Sequence, residues 1–148
     1  MTHGVLQLRL VVETEDFDAA VRFYRDVLGL PEQAAFSGEG DARVVILEAG
    51  RATLELANPA QKRMIDAVEA GGLPSARIRV ALEVADARGA TADAVRGGAV
   101  LVAEPVETPW RSLNSRLEAP ADLQLTLFEE LEAPADRIRG EGFGTAPQ

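Results

Sequence analysis

The chain of 148 residues contains no cysteine, one histidine and one lysine. Without cysteine it can form no disulfide, thiolate metal site or cysteine nucleophile, so its stability must come from an apolar core. Hydrophobic residues make up 47% of the sequence, enough for one compact domain. No apolar run approaches the roughly 20 residues that span a bilayer, and the N-terminus lacks the features of a signal peptide. We therefore expect a soluble cytoplasmic protein that does not associate with membranes.

Positive charge is also scarce, since 15 Lys and Arg against 24 Asp and Glu give a formal net charge of -9. Nucleic acids and anionic membranes both bind a concentrated basic surface, so neither is expected as a partner. The overall field favours cationic ligands instead. The chain also lacks a phosphate-binding glycine loop, a dinucleotide-binding glycine fingerprint and a nucleophile elbow. The common nucleotide-dependent and serine-hydrolase chemistries therefore have no support.

Four segments alternate apolar and polar residues with the period of two that is typical of strands. They cover residues 6–12, 53–57, 77–84 and 123–128. Each segment carries a polar or charged residue at the same step of its alternation, and these residues are Arg9, Glu55, Arg79 and Thr126. If the strands share one sheet, the four side chains point to a common concave face. That face is the candidate site.

Three helices are predicted between these strands. The first covers about 14–28, with Thr14 as its cap, and a weaker one covers about 86–96. A linker helix follows Asn58-Pro59, a cap followed by a first-turn proline. Glu69 in that helix is expected to face either solvent or a partner subunit.

The two halves of the chain align at a near-constant offset. Arg9 matches Arg79 at 70 positions, and Glu55 matches Thr126 at 71. Further strand-like runs complete each half, so the sequence predicts an internal duplication of a βαβββ unit. The predicted organisation is a first module, a linker helix, a second module and a mobile tail, over 1–59, 60–75, 76–131 and 132–148.

The duplicated unit resembles the vicinal oxygen chelate superfamily, which includes glyoxalase I, extradiol dioxygenases, and fosfomycin and bleomycin resistance proteins. The resemblance rests on the repeat and on three motifs of the first helix, Asp16-Phe17, Phe23-Tyr24 and Val27-Leu28-Gly29-Leu30. It implies an α+β fold in which paired βαβββ modules form a curved, eight-stranded mixed sheet with helices on the outer face. It also leads us to expect a homodimer.

In metal-using members, His, Gln or Glu ligands lie on the first and last strands of each module. The matching positions here hold Arg9, Glu55, Arg79 and Thr126, of which only Glu55 has that chemistry. Arginine stays protonated and offers no lone pair, and two cations would repel a divalent ion. The only histidine, His3, precedes the first strand. The resemblance therefore implies a member without a metal or other cofactor.

Arg9 and Arg79 are predicted to grip a carboxylate, phosphate or enolate, because guanidinium pairs with oxyanions are charge-assisted and often bidentate. Glu55 is expected to position one arginine or contact a ligand hydroxyl, and other ligand contacts are expected from Gln7, Gln124, Thr126 and Trp110. Two other readings stay open for this site. Glu55 could neutralise both arginines in a structural network without any ligand, and Trp110 could pack only against the linker.

These features favour a metal-independent protein that binds a small organic molecule with an anionic group. An enzyme is the first alternative: a lyase, isomerase or epimerase with Glu55 as its catalytic base and the arginines holding an enolate. The second alternative follows the net charge, and is a resistance protein that sequesters a cationic aromatic drug in an acidic dimer groove.

Overall fold

The structure is a computed structural model that describes residues 6–132. His3 and nearly all of the predicted mobile tail lie outside the described residues. Helix α1 (Phe17–Val21) continues as a π-helix (Arg22–Val27), and the hairpin strands β1 (Glu32–Ser37) and β2 (Arg43–Leu47) follow. After helix α2 (Pro59–Ala70), the elements are β3 (Val80–Glu83), α3 (Ala87–Arg96), β4 (Val100–Glu107), β5 (Ser112–Ala119) and β6 (Leu123–Glu130). The predicted α+β class is confirmed.

The second half is a complete βαβββ unit. Its sheet has the order β3-β6-β5-β4, with β3 parallel to β6 and the other pairs antiparallel. One face of the sheet buries Leu117, Leu125 and Leu127 against Phe23 and Ala94 in the hydrophobic core. Because side chains alternate along a strand, the opposite face is left with the polar residues of β5 and β6.

Between residue 6 and the start of α2, only the β1–β2 hairpin forms sheet structure. Residues 6–15 and 52–58 form neither strand nor helix, and Leu6, Leu54 and Leu56 are exposed. The strands predicted over 6–12 and 53–57 are therefore wrong for this structure, in which residues 6–132 form one sheet of two strands and one of four. The single eight-stranded sheet is not confirmed. The physical reason is that alternation marks a side-chain pattern, whereas a strand also needs a neighbour for its backbone hydrogen bonds.

The first helix starts later than predicted. Asp16, not Thr14, is its cap: Asp16 Oδ1 accepts a hydrogen bond from the Ala19 amide at 3.1 Å, while the Thr14 hydroxyl donates to the Asp16 carbonyl. Aspartate caps helices at least as well as threonine, and Asp16 lies three residues before Ala19, at the spacing a cap needs to reach that amide. At the far end of the helix Tyr24 donates to the Pro120 carbonyl at 2.7 Å, which joins the first half to the turn before β6.

Helix α2 begins at the predicted cap and ends at Ala70, before the end of the predicted linker range at residue 75. The Asn58 side chain accepts from the Gln61 amide at 2.9 Å, Pro59 is the first helical residue, and Gly71 ends the helix with φ +61°. Only Asp66, Glu69 and Ala70 of this helix are buried. They lie on the side that packs against β4 and β5. The linker helix therefore covers the polar face of the four-stranded sheet, with two carboxylates turned inward.

We expect Gly97→Ala to lower the free energy of unfolding by roughly 1–2 kcal/mol through overpacking. A Cβ atom at Gly97, just after α3, would lie 2.7 and 2.8 Å from the two methyl groups of Val27. A β-branched side chain has few rotamers with which to give way. Urea unfolding measures the change, and Gly38→Ala is the matched control because its Cβ would meet only Ala42, at 3.5 Å. Equal stability of the two variants would show that the close contact with Val27 does not destabilise Gly97→Ala.

Candidate functional site

Two of the four predicted site residues meet on the polar face of the four-stranded sheet. Arg79 immediately precedes β3, and its Nη1 donates to Oγ1 of Thr126 on β6. The Thr126 side chain is buried, whereas that of Arg79 is 24% exposed. Gln124 is buried nearby, where its amide oxygen accepts from the Ala76 amide and its amide nitrogen donates to Glu118. The site therefore has a buried floor and one arginine at its open edge.

The remaining predicted residues lie elsewhere. Gln7, Arg9 and Glu55 are exposed on the segments that form no strand, and no hydrogen bond or ion pair within residues 6–132 joins them to Arg79 or Thr126. Trp110 is half-buried in the turn between β4 and β5. The roles predicted for these four residues, including that of Glu55 as a base, stay predictions.

A different carboxylate, Glu69 of α2, approaches Arg79 and Thr126. Its Oε1 accepts from Arg116 Nε at 3.1 Å and from the Thr126 hydroxyl, and lies 3.8 Å from Arg79 Nη1. Its Oε2 accepts from Asn114 Nδ2 at 2.9 Å. Glu69 therefore faces neither solvent nor a partner, contrary to both sequence-based expectations. We call Asp66, Glu69, Asn114, Arg116, Thr126 and Arg79 the α2–sheet cluster.

Arg116 of β5 is the centre of the α2–sheet cluster and is 0% exposed. Its Nη1 donates to Asp66 Oδ1 at 2.9 Å and to the Leu73 carbonyl at 3.2 Å, and its Nε donates to Glu69. Its Nη2 is buried and has no hydrogen-bond partner among the described residues. A guanidinium carries five N–H donors, so this one retains unused capacity.

Asp66 holds the other side of the guanidinium. Its Oδ2 accepts from the Ser75 amide at 3.1 Å and from Lys62 Nζ at 3.3 Å. Burial raises its pKa, but hydrogen bonds from Ser75, Arg116 and Lys62 outweigh burial and lower the pKa to about 2. Asp66 is therefore ionised at neutral pH. Together with Lys62, the cluster has three formal cations against two carboxylates, a net charge of one positive.

Asp66, Glu69 and Arg116 were missed as site residues in the sequence. The available signal was helical spacing, because Lys62, Asp66 and Glu69 recur at intervals of four and three and so share one face of α2. Arg116 likewise alternates with the buried Leu117. These local patterns do not predict that the acidic face of α2 packs against Arg116.

The residues at the family's metal positions do not fit a metal ion. Arg9 and Arg79 cannot donate a lone pair, Thr126 is engaged by Arg79 and Glu69, and Glu55 is exposed. Within residues 6–132, no group of three His, Asp or Glu side chains is arranged to hold a metal ion. In the same range, no helix is both long and apolar enough to cross a membrane.

A concavity of about 410 Å³ lies between the first helix and the β1–β2 hairpin. Most of its charged groups pair with one another, since Arg25 contacts Asp26 and Glu32 while Arg43 contacts Asp18 and lies over the Phe17 ring. The α2–sheet cluster has unused guanidinium donors and, counted together with Lys62, an excess positive charge, so it is the better candidate for a binding site.

A βαβββ unit with strand order β3-β6-β5-β4 and a polar face opposite its helix is the building block of the vicinal oxygen chelate superfamily. The chain belongs to that superfamily and, within it, to the glyoxalase-like domain family, whose model matches residues 9–128. No curated protein sequence matches the chain.

Three solved structures show the same fold. TnmS3, an antibiotic binding protein from Streptomyces sp. CB03234, is 18% identical with a TM-score of 0.57, over 87% of this chain and 99% of that one. A glyoxalase/bleomycin resistance protein/dioxygenase superfamily member from Sphaerobacter thermophilus DSM 20745 is 22% identical with a TM-score of 0.51, over 81% and 92%. A glyoxalase-related enzyme from Fulvimarina pelagi is 13% identical with a TM-score of 0.52, over 85% and 89%. At these identities the likeness shows the fold alone.

Proposed function

We propose that the protein binds a small organic molecule through an anionic group, without a metal ion, at the polar face of the four-stranded sheet. The observation that carries this proposal is the position of Arg79. Its guanidinium is partly exposed to solvent at the edge of a cluster that, counted together with Lys62, carries one excess positive charge. A carboxylate or phosphate there would neutralise the excess charge and form charge-assisted hydrogen bonds.

The similarity of fold to an antibiotic binding protein supports a role in small-molecule binding. In this proposal Arg79 binds the anionic group and Thr126 orients the guanidinium from the floor. Arg9 remains a proposed second contact, because it holds in the first half the place that Arg79 holds in the second. A homodimer, a cytoplasmic location and the absence of a cofactor are likewise proposals.

We expect Arg79→Ala to weaken anion binding at least about tenfold, because a partly desolvated charge-assisted contact is lost. Thermal shift at fixed ionic strength measures it, with benzoate, inorganic phosphate and the cationic dye proflavine as probes. A probe at about 100 times its dissociation constant adds about 2.7 kcal/mol and should raise the melting temperature by roughly 5–10 °C.

The matched control is Arg51→Ala, which removes the same charge from an exposed loop. It should bind anions as the wild type does. A shift with proflavine alone, or an equal loss of anion binding in both variants, would contradict the proposal and favour the cationic-drug alternative or a nonspecific charge effect.

A further inference from the structure

We propose that Arg79 and Arg116 form one oxyanion-binding site, that the Glu69 carboxylate of α2 holds this site closed, and that a carboxylate or phosphate ligand binds by taking the place of Glu69. This inference rests on the proposed function, and names the second arginine and the gate of the same site. It makes α2 a displaceable cover.

The donors around Glu69 all belong to the sheet side of the contact. Arg116 and Asn114 lie on β5, Thr126 lies on β6, and Arg79 precedes β3. The anion is supplied only by the helix. When α2 moves away, the donors keep their places on adjacent, hydrogen-bonded strands, so the sheet retains a preformed set of donors for another oxyanion.

Glu69 uses this set incompletely. It binds Nε of Arg116, while Nη2, on the same outer edge of the guanidinium, is buried with no hydrogen-bond partner within residues 6–132. Nε and Nη2 together are the edge that binds a carboxylate or phosphate side-on with two hydrogen bonds. Glu69 cannot supply both, because its second oxygen is held by Asn114. An untethered oxyanion can satisfy both nitrogens.

Helix α2 is attached to the sheet by these polar contacts more than by apolar packing. Its fully buried residues are Asp66, Glu69 and Ala70, whereas Ile65 and Val68 are half-buried and Met64 is exposed. Displacing the helix therefore exposes no fully buried apolar side chain larger than alanine from α2. Gly71 and Gly72, both with positive φ and with no atom near their Cβ positions, follow the helix and leave room for a hinge.

Formal charge sets the expected preference of the site. Lys62, Asp66 and Glu69 all belong to α2, so withdrawal of the helix leaves Arg79 and Arg116 as two uncompensated cations. A ligand with two negative charges restores neutrality, whereas one with a single charge does so only in part. We therefore expect phosphate to bind more tightly than benzoate.

The first test is Glu69→Gln, which removes the competing charge and keeps the shape of the side chain. We expect it to bind inorganic phosphate at least about tenfold more tightly than the wild type in isothermal titration, because the internal competitor is weakened. The matched control is Glu104→Gln, which removes the same charge from an exposed position on β4 and should bind as the wild type does.

The second test needs no variant and so does not depend on the folding of Glu69→Gln. Hydrogen–deuterium exchange of the wild type with and without phosphate should show faster exchange at the amides of α2 in the bound state. Amides of β5 and β6 should be equally or better protected. Unchanged or slower exchange in α2 on binding would overturn the inference.

The outcomes separate this inference from the proposed function. If phosphate binds the wild type through Arg79, but Glu69→Gln binds no better than Glu104→Gln and α2 stays protected, the displaceable cover is wrong and the proposed function stands. If neither the wild type nor Glu69→Gln binds phosphate or benzoate, the proposed function fails and the inference fails with it.

Discussion

Replacement of Arg116 by methionine should lower the free energy of unfolding by about 3–5 kcal/mol, because it leaves Asp66 and Glu69 buried without their shared cation. Arg116 is 0% exposed and the two carboxylates are 4% and 2% exposed. Arg79 does not replace its hydrogen bonds, since Arg79 Nη1 lies 3.8 Å from Glu69 Oε1, within ion-pair distance but beyond hydrogen-bond distance. Methionine keeps much of the apolar stem of the arginine side chain, so the loss of stability measures mainly the cost of leaving the two carboxylates without Arg116.

Urea unfolding and thermal melting both measure this loss, and the melting temperature should fall by roughly 10 °C or more. The control is Arg111→Met, which breaks an exposed pair with Glu107 and should cost less than about 1 kcal/mol. A second comparison combines Arg116→Met with Asp66→Leu and Glu69→Met, which should recover stability because no charge remains buried. If Arg116→Met is no more costly than Arg111→Met, Arg116 is not buried between the carboxylates.

Asp66→Asn should be the second most destabilising change at neutral pH, and its cost should vanish in acid. The pKa of Asp66 falls from an ordinary value of 3.8 to about 2 in the folded protein, which corresponds to a stabilisation on the order of 2 kcal/mol. A lowered folded-state pKa stabilises the protein above the unfolded value, and that contribution is lost as the pH falls through the folded value. The difference between wild type and variant should therefore be constant above about pH 5 and shrink between pH 4 and 2.

Chemical unfolding at a series of pH values measures the difference. Asp41→Asn, at an exposed position of the β1–β2 turn, is the control and should show no such pH dependence relative to the wild type. A difference in stability between wild type and Asp66→Asn that persists unchanged to pH 2 would show that Asp66 does not stabilise the fold through its charge.

Elements whose signals are local followed the sequence closely. The Asp86 side chain caps α3 through the Gly89 amide at 3.1 Å, and α3 covers Ala87–Arg96 where a helix was predicted over 86–96. Strand β6 likewise includes the predicted segment 123–128. A cap, a hydrophobic stripe or an alternating run is contained within about ten residues, so a single sequence displays it completely.

Only part of the candidate site was predicted from the sequence, because local signals do not show which elements pack together. Alternation placed Arg79 and Thr126 on one face, and the structure joins them by a hydrogen bond. It also predicted Arg9 and Glu55 on that face, but their segments form no strand here. The carboxylate that approaches Arg79 is Glu69, from a helix whose packing direction no local pattern specifies.

The sequence by itself carried the resemblance to the family, which implied the class of fold, and the alternation that separates an apolar face from a polar one. The alternation and the helix caps are properties of neighbouring residues. Only the tertiary structure decided that α2 covers the polar face and that Arg116 lies between Asp66 and Glu69. The reason is that burying a charge is favourable only beside its counter-charge, and which charges become neighbours depends on the packing of elements about 50 residues apart.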